Sequence, residues 1–419
     1  MAQPQPRIAN EPALYRLHPD NLLNISSLAA AAPKAQRGAW RALENLFDHA
    51  ALRHCHQLSI EPDAPAWRLR YRCAGSIMEQ LENEPEELIR GLDILQTHLW
   101  SDQFHTMQTR GVVFQVQTNS THQIVDMQVV HTVKGDQIIF DCEAPTDFPK
   151  LLDQLTVHQP DMAPSIRQRL QKDEGMILLT GAEPVLLDDL LLAINQELIS
   201  PDKTILSIAA RHRFRLPRTT QVQLNMHDSR ETWQAALQTQ HDVLLLNGFI
   251  PEIAHELVSN SVNHGTMVIQ AIHSVNASSS LNQLNGSVLN RNPALRNVDT
   301  MINQYHACAI CQDCGTTATL NSAEVAWLES VRTPVTENVI DWLTDGNTEN
   351  FQTGHGCPAC GDTGFSDPIT LYDQLQRNQQ SHQFPTAQNV TPLTKQLMAL
   401  AKSGQIPVQE VMRALRKAA

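Results

Sequence analysis

Two groups of residues in this chain have types and spacings suited to chemistry. The first is Cys311-Gln-Asp-Cys314 and Cys357-Pro-Ala-Cys360, a pair of C-x-x-C turns. Each turn offers two thiolates to one side, and four sulfurs complete a closed tetrahedral zinc site. Gly315, Gly356 and Gly361 flank the turns and suit the tight backbone that close sulfur approach requires. Four protein ligands leave no position for water, so the expected role of the zinc is structural. Cys308 reads as a substitute ligand or a buried thiol, and Cys55, Cys73 and Cys142 as core residues. A redox C-x-x-C would need a strand leading into the motif, which Tyr305–Ile310 does not convincingly supply.

The second group surrounds Gly181. Gly175-Met-Ile-Leu-Leu-Thr-Gly181 reads as an apolar strand ending in glycine, the lead-in to a phosphate loop of form G-x-x-x-x-G-K-[ST]. Counting from Gly181, the second glycine position holds Leu186, the lysine position Leu187 and the hydroxyl position Asp188. None of these supplies an amide cradle, a neutralising ammonium or a magnesium ligand, so ATP and Mg2+ are not expected to bind. Asp188 and Asp189 read as acids at the start of the following helix, where they favour the helix dipole and oppose a phosphate.

Length and composition bound what must hold these groups. The 419 residues, 42% hydrophobic and 18% charged, suit a globular protein of two or three domains. With 31 basic and 44 acidic residues the formal charge is −13, which disfavours nucleic acid and anionic lipid as nonspecific partners. No stretch has the length and apolarity of a transmembrane helix, and Met1–Arg7 lacks the pattern of a signal peptide. The chain is therefore expected in the cytoplasm, meeting the inner membrane only peripherally, through a partner. Eight cysteines in that reducing compartment point to metal or free thiols.

Along the chain, residues 1–37 read as a Pro-, Ala- and Asn-rich tail. Residues 38–149 read as an α+β domain, with a helix from Ala39, strands at Gln57–Glu61 and Trp67–Cys73, a helix near Pro85–Trp100 and strands within Val112–Cys142. Residues 150–172 read as a linker. In 173–300, strands Met176–Thr180, Thr204–Ile208, Val243–Leu246 and Met267–Ile272 alternate with helices at Val185–Ile199, within Ser229–Gln240, and at Pro251–Asn263. Continuous apolar strands separated by helices imply a mostly parallel sheet covered on both faces. Residues 277–300 read as a loop or arm, 301–366 as the zinc-binding subdomain, and 367–419 as a helical region with two amphipathic helices joined at Ser403–Pro407.

The order of motifs resembles the type II secretion and type IV pilus assembly ATPases. The carrying residues are Ile60-Glu61-Pro62, Arg68-Leu-Arg-Tyr-Arg-Cys-Ala-Gly75, the Gly181 strand, Asp242–Ile250, Gly265–His273, the four cysteines and Gly404-Gln-Ile-Pro-Val-Gln-Glu-Val411. The resemblance covers about residues 39–415. It implies a PAS-like N-terminal domain joined by a linker to a RecA-like domain, in a hexamer that drives a membrane platform protein. Family members usually carry a further N-terminal domain; about 38 residues precede the match here.

The resemblance also marks what has changed. Gln57 and Ser59 stand in the first-domain acidic-histidine box, and Gln128 where an arginine is expected beside Arg70 and Arg72; those arginines read either as phosphate contacts or as solvated strand residues. Ala209 stands at the second acidic box, Gly248 and Ile250 at the Walker B glutamate and arginine, and Thr266 at the first histidine of the histidine box, which keeps His273. The site positions Gly181, Leu187, Asp188, Ala209, Gly248 and Thr266 are thus degenerate. The implied function is a non-hydrolysing pseudo-ATPase that binds the motor ATPase or platform protein of a type IV pilus or type II secretion system and inhibits it, within a homo- or hetero-oligomer. The alternative is an active assembly ATPase with a displaced phosphate site served by Arg211, His212 and Arg213. A zinc-ribbon nucleic-acid binder is disfavoured by the acidic charge.

Overall fold

The computed structural model describes residues 16–17, 22–53, 55–63, 66–73, 76–83, 85–99, 110–143, 150–172, 174–181, 184–210, 212, 214–224, 228–248, 252–273, 298–330, 351–377 and 392–418. Two seven-stranded sheets organise them.

The first sheet comprises β2 (Leu22–Asn24), β3 (Gln57–Asp63), β4 (Ala66–Cys73), β5 (Ser76–Asn83), β6 (Arg110–Gln117), β7 (His122–Thr132) and β8 (Gly135–Glu143), after a two-residue β1 (Arg16–Leu17). Its order is β2-β6-β7-β8-β3-β4-β5. Helices α1 (Ile25–Ala31), α2 (Lys34–Leu52) and α3 (Glu86–Leu99) accompany it. α2 turns Trp40, Leu43, Phe47 and Ala50 inward at helical spacing, onto Leu58, Ile60, Phe114, Met127 and Phe140 of the strands. Phe47 meets Phe140 edge to face at 5.5 Å between centroids. Cys55 and Cys142 lie in this core, as expected; the side chain of Cys73 lies outside the described residues.

The expected tail at 1–37 is corrected by residues 22–37. Asn24 caps α1 by accepting from the Ser27 amide at 2.8 Å, Leu23, Ile25 and Ala29 enter the core, and β2 runs parallel to β6. The Ser- and Ala-rich α1 has little apolar contrast, and β2 finds its partner only through a strand far along the chain. β1 pairs antiparallel with β11 (Phe214–Arg215) of the second domain. Residues 1–15 lie outside the description.

The second sheet has the order β12-β10-β13-β14-β9-β15-β18. Its strands are β9 (Gly175–Gly181), β10 (Ile205–Ala209), β12 (Thr219–Gln223), β13 (Val243–Asn247), β14 (Met267–His273), β15 (Val298–Ala307) and β18 (Ile369–Gln376). All neighbours run parallel except β18, which is antiparallel to β15. α7 (Arg230–Leu237) and α8 (Glu252–Asn263) contribute to the core on one face; α4 (Leu152–Leu155), α5 (Met162–Leu170) and α6 (Pro184–Leu198) contribute to the core on the other. This is the parallel, doubly covered sheet that the apolar strands imply.

Three expected boundaries change here. Residues 150–172 are no linker: Leu152, Leu155, Ala163, Ile166 and Leu170 are core residues, and the buried Arg169 pairs with Asp299 and donates to Thr300 Oγ1. Their polar composition reflects helices that bury one side only. Residues 298–307 form β15, so a strand does lead toward Cys311, and the expected 277–300 loop and the 301–366 subdomain both give way to it. Residues 274–297 lie outside the description. The helical region 367–419 includes β18 besides α9 (Pro392–Lys402) and α10 (Val408–Ala418). The sequence reading missed β5 and β12, both polar because they are edge strands.

Candidate functional site

The four cysteines converge. β16 (Gly315–Ala318) and β17 (Phe351–Gly354) pair antiparallel, with Cys311 and Cys314 entering one strand and Cys357 and Cys360 leaving the other. Their four Sγ atoms lie within 4.8 Å of one another. Sγ separations are 3.9 Å for Cys311–Cys357, 3.9 Å for Cys314–Cys360 and 3.7 Å for Cys357–Cys360. A tetrahedron with zinc–sulfur bonds of about 2.3 Å has edges of about 3.8 Å, so the sulfur cage fits the ion. A Cβ on Gly354 would lie 1.9 Å from the Gly364 carbonyl oxygen, which explains a glycine at this close crossing. Burial pushes the Cys360 thiol up, but amides of Cys357 and Gly364 donating to its sulfur at 3.3 and 3.2 Å bring it down to about 6. Cys308 is buried near the end of β15, outside the group of four.

At the carboxyl edge of the second sheet, Gly181 ends β9, Ala209 ends β10 and Gly248 follows β13. His273 ends β14 in register with Gly181. Thr266 does not join them. It precedes β14, and its hydroxyl lies 3.4 Å from the His241 carbonyl oxygen at the opposite edge, roughly 20 Å away for a seven-residue strand. Its assignment to the same site is corrected by strand direction, which the sequence pattern had not fixed.

Around Gly181 the connection is short: two residues, 182 and 183, separate β9 from α6. A G-x-x-x-x-G loop needs four between its glycines to wrap a phosphate. Leu187 is fully buried among Leu190, Leu191 and Ile177, and its Cδ1 lies 3.5 Å from where a Gly181 Cβ would stand. The side chain of Leu186 lies outside the described residues. Asp188 and Asp189 are not in the first turn of α6, which holds no acid, so the expected dipole role is corrected. Asn247 Nδ2 donates to Asp188 Oδ1 at 2.8 Å, and Lys150 Nζ sits 3.2 Å from Asp189 Oδ2.

Burial, then the neighbouring Asp189 and Asp126, push the Asp188 carboxyl up to about 8. Burial also raises Asp189, while the Lys150 ammonium pulls it back. Beside Gly181 the described side chains are the buried Leu187 and the Asp188–Asn247 pair.

The first domain closes over this edge. Ile124 of β7 packs with Leu192, Phe214 and Leu216, and Asp126 lies near enough to raise Asp188. A cavity of about 20 Å³ remains, lined by Asp188, Asn195, Ser207, His212, Gln221 and Asn247 among others. That is room for one water, against some 300 Å³ or more for a small-molecule pocket. The His212 ring nitrogen Nε2 lies 3.1 Å from the Val222 carbonyl oxygen; Arg211 and Arg213 lie outside the described residues. The first-domain arginines serve their own sheet: Arg70 pairs with Glu61 and Glu79 at 3.0 Å each, and Arg72 donates to Gln57 at 3.2 Å.

Among the described residues no helix is long and apolar enough to cross a membrane. The family described as "Type II/IV secretion system protein" matches residues 35–416. Among solved structures, the ATPase DotB of Legionella pneumophila is similar with a TM-score of 0.53 and 12% identity, covering 90% of this chain and 95% of that one. DotB of Yersinia pseudotuberculosis gives a TM-score of 0.50 and 12% identity over 96% and 97%. At such identity these establish likeness of fold alone. No curated protein matches in sequence.

Proposed function

We propose, from the premise that this chain belongs to the type II/IV secretion system protein family, that it is a pseudo-ATPase. It binds the motor ATPase or the membrane platform protein of a type IV pilus or type II secretion system and inhibits the motor. The observation that carries this reading is the Asp188–Asn247 hydrogen bond beside a fully buried Leu187. Where the loop pattern calls for a lysine and a magnesium-holding hydroxyl, this chain has a core leucine and a carboxyl committed to β13. Phosphoryl transfer depends on positioning and charge neutralisation, and neither side chain provides them. A foldable frame without that chemistry suits a subunit or competitor that interrupts a motor cycle.

The test is a thermal-shift titration of zinc-replete protein with Mg-ATP, paired with a pull-down of motor and platform proteins. A ligand at 100 times its Kd stabilises by about 2.7 kcal/mol, several degrees in melting temperature. Capture of a motor or platform protein with no ATP shift supports the pseudo-ATPase. Saturable ATP stabilisation with phosphate release abolished in Arg211→Ala and Arg213→Ala would overturn it in favour of a displaced active site.

A further inference from the structure

The tetracysteine knuckle is held to the second domain on one side and rests on the first domain on the other. On the second-domain side, the Ile310 amide donates to the Gln405 carbonyl at 2.9 Å, and the Cys311 amide to the Gly364 carbonyl at 3.0 Å within the knuckle. On the far side, Gly361 follows the ligand Cys360 with φ +58°, and a Cβ there would stand 3.1 Å from both Leu52 Cγ and Arg53 Cγ. Leu52 ends α2 and Arg53 is its C-cap, so a turn set by the metal ligands lies against the end of a first-domain helix.

Arg53 adds a charge argument. Its guanidinium lies 5.0 Å above the Tyr71 ring, and its Nε and Nη1 are buried with no hydrogen-bond partner among the described residues. Buried guanidinium nitrogens with unmade hydrogen bonds are costly unless a negative group stands nearby. Zinc held by four thiolates carries a net charge of −2 and would sit one residue from this contact.

We propose that the knuckle is an intramolecular clasp: with metal bound, its Gly361 turn docks on Leu52 and Arg53 and holds the first domain to the second. Among the described residues, the domains also meet at the Ile124–Leu192–Phe214–Leu216 cluster, the β1–β11 pair, the Asp126–Asp188 approach and where α6 lies against β8, and none of these involves one of the four cysteines. Metal occupancy thereby sets how firmly the domains are joined at the knuckle end. Coupling of this kind is reciprocal, so weakening the dock weakens metal binding.

The experiment measures zinc affinity of the full-length chain by competition with a chromogenic chelator. Leu52→Glu changes a half-exposed residue outside the four cysteines, Arg53→Gln removes a half-buried charge, and Val133→Glu alters an exposed hairpin tip of the same domain as the reference. Leu52→Glu and Arg53→Gln are expected to weaken zinc about tenfold, the lower end for groups that support metal ligands, with Val133→Glu unchanged. In hydrogen exchange, removing zinc from the wild-type chain is expected to speed exchange in residues 50–57 while β9 and β14 stay protected. Wild-type zinc affinity in Leu52→Glu, equal weakening in Val133→Glu, or unchanged exchange at 50–57 after zinc removal would each overturn the clasp.

Discussion

Asn247 and Asp188 are joined by a 2.8 Å hydrogen bond that ties α6 to the end of β13. It crosses the edge where a phosphate loop and a Walker B strand would meet. The carboxyl is raised to about 8 by burial first, then by Asp189 and Asp126. Between about pH 4 and pH 8 the folded chain holds a proton that the unfolded chain releases. This contribution to stability is complete below about pH 4 and is lost as pH rises through 8. Asp188→Asn keeps the amide-to-carbonyl bond and removes the titration. Its unfolding free energy in urea is expected to exceed that of the wild type progressively from about pH 4 to pH 8, by about a few kcal/mol at the top.

Leu187→Lys inserts the residue that the loop pattern demands. Leu187 is fully buried, so the change places an unpaired ammonium in the core. The expected outcome is a loss of about 3–5 kcal/mol, read by denaturant unfolding, without a gain in ATP binding.

Ile25→Ala tests the extended boundary of the first domain. Ile25 is fully buried in a segment that composition marks as tail. A loss of about 2–5 kcal/mol is expected in thermal or urea unfolding; a dispensable tail would give none.

Cys314→Ser and Cys308→Ser separate ligand from core thiol. The first is expected to lose stoichiometric zinc by metal analysis, and the second to keep it, because Cys308 stands outside the sulfur cage. Zinc loss should also loosen the β16–β17 hairpin, since binding energy at such sites is folding energy.

Legibility in the sequence followed the range of the interactions. The apolar run Met176–Leu179 and the helix from Ala39 announce themselves because burial selects their pattern locally. The C-x-x-C pairs are equally plain, since two ligands share one turn. β2, β5 and β12 were hidden because short or polar edge strands carry little pattern of their own. Residues 150–172 were hidden because Arg169 and its neighbours look solvated until Asp299 and Thr300 reach them.

By itself the sequence determined the family frame, the two C-x-x-C pairs and the presence of Leu187 six residues after Gly181. Those are matters of residue identity and spacing. Only the tertiary structure decided that Thr266 sits at the far edge from Gly181, that Asp188 bonds Asn247, and that Gly361 rests on Leu52 and Arg53. Strand direction and long-range packing fix those relations, and they depend on residues far apart in the chain finding one another.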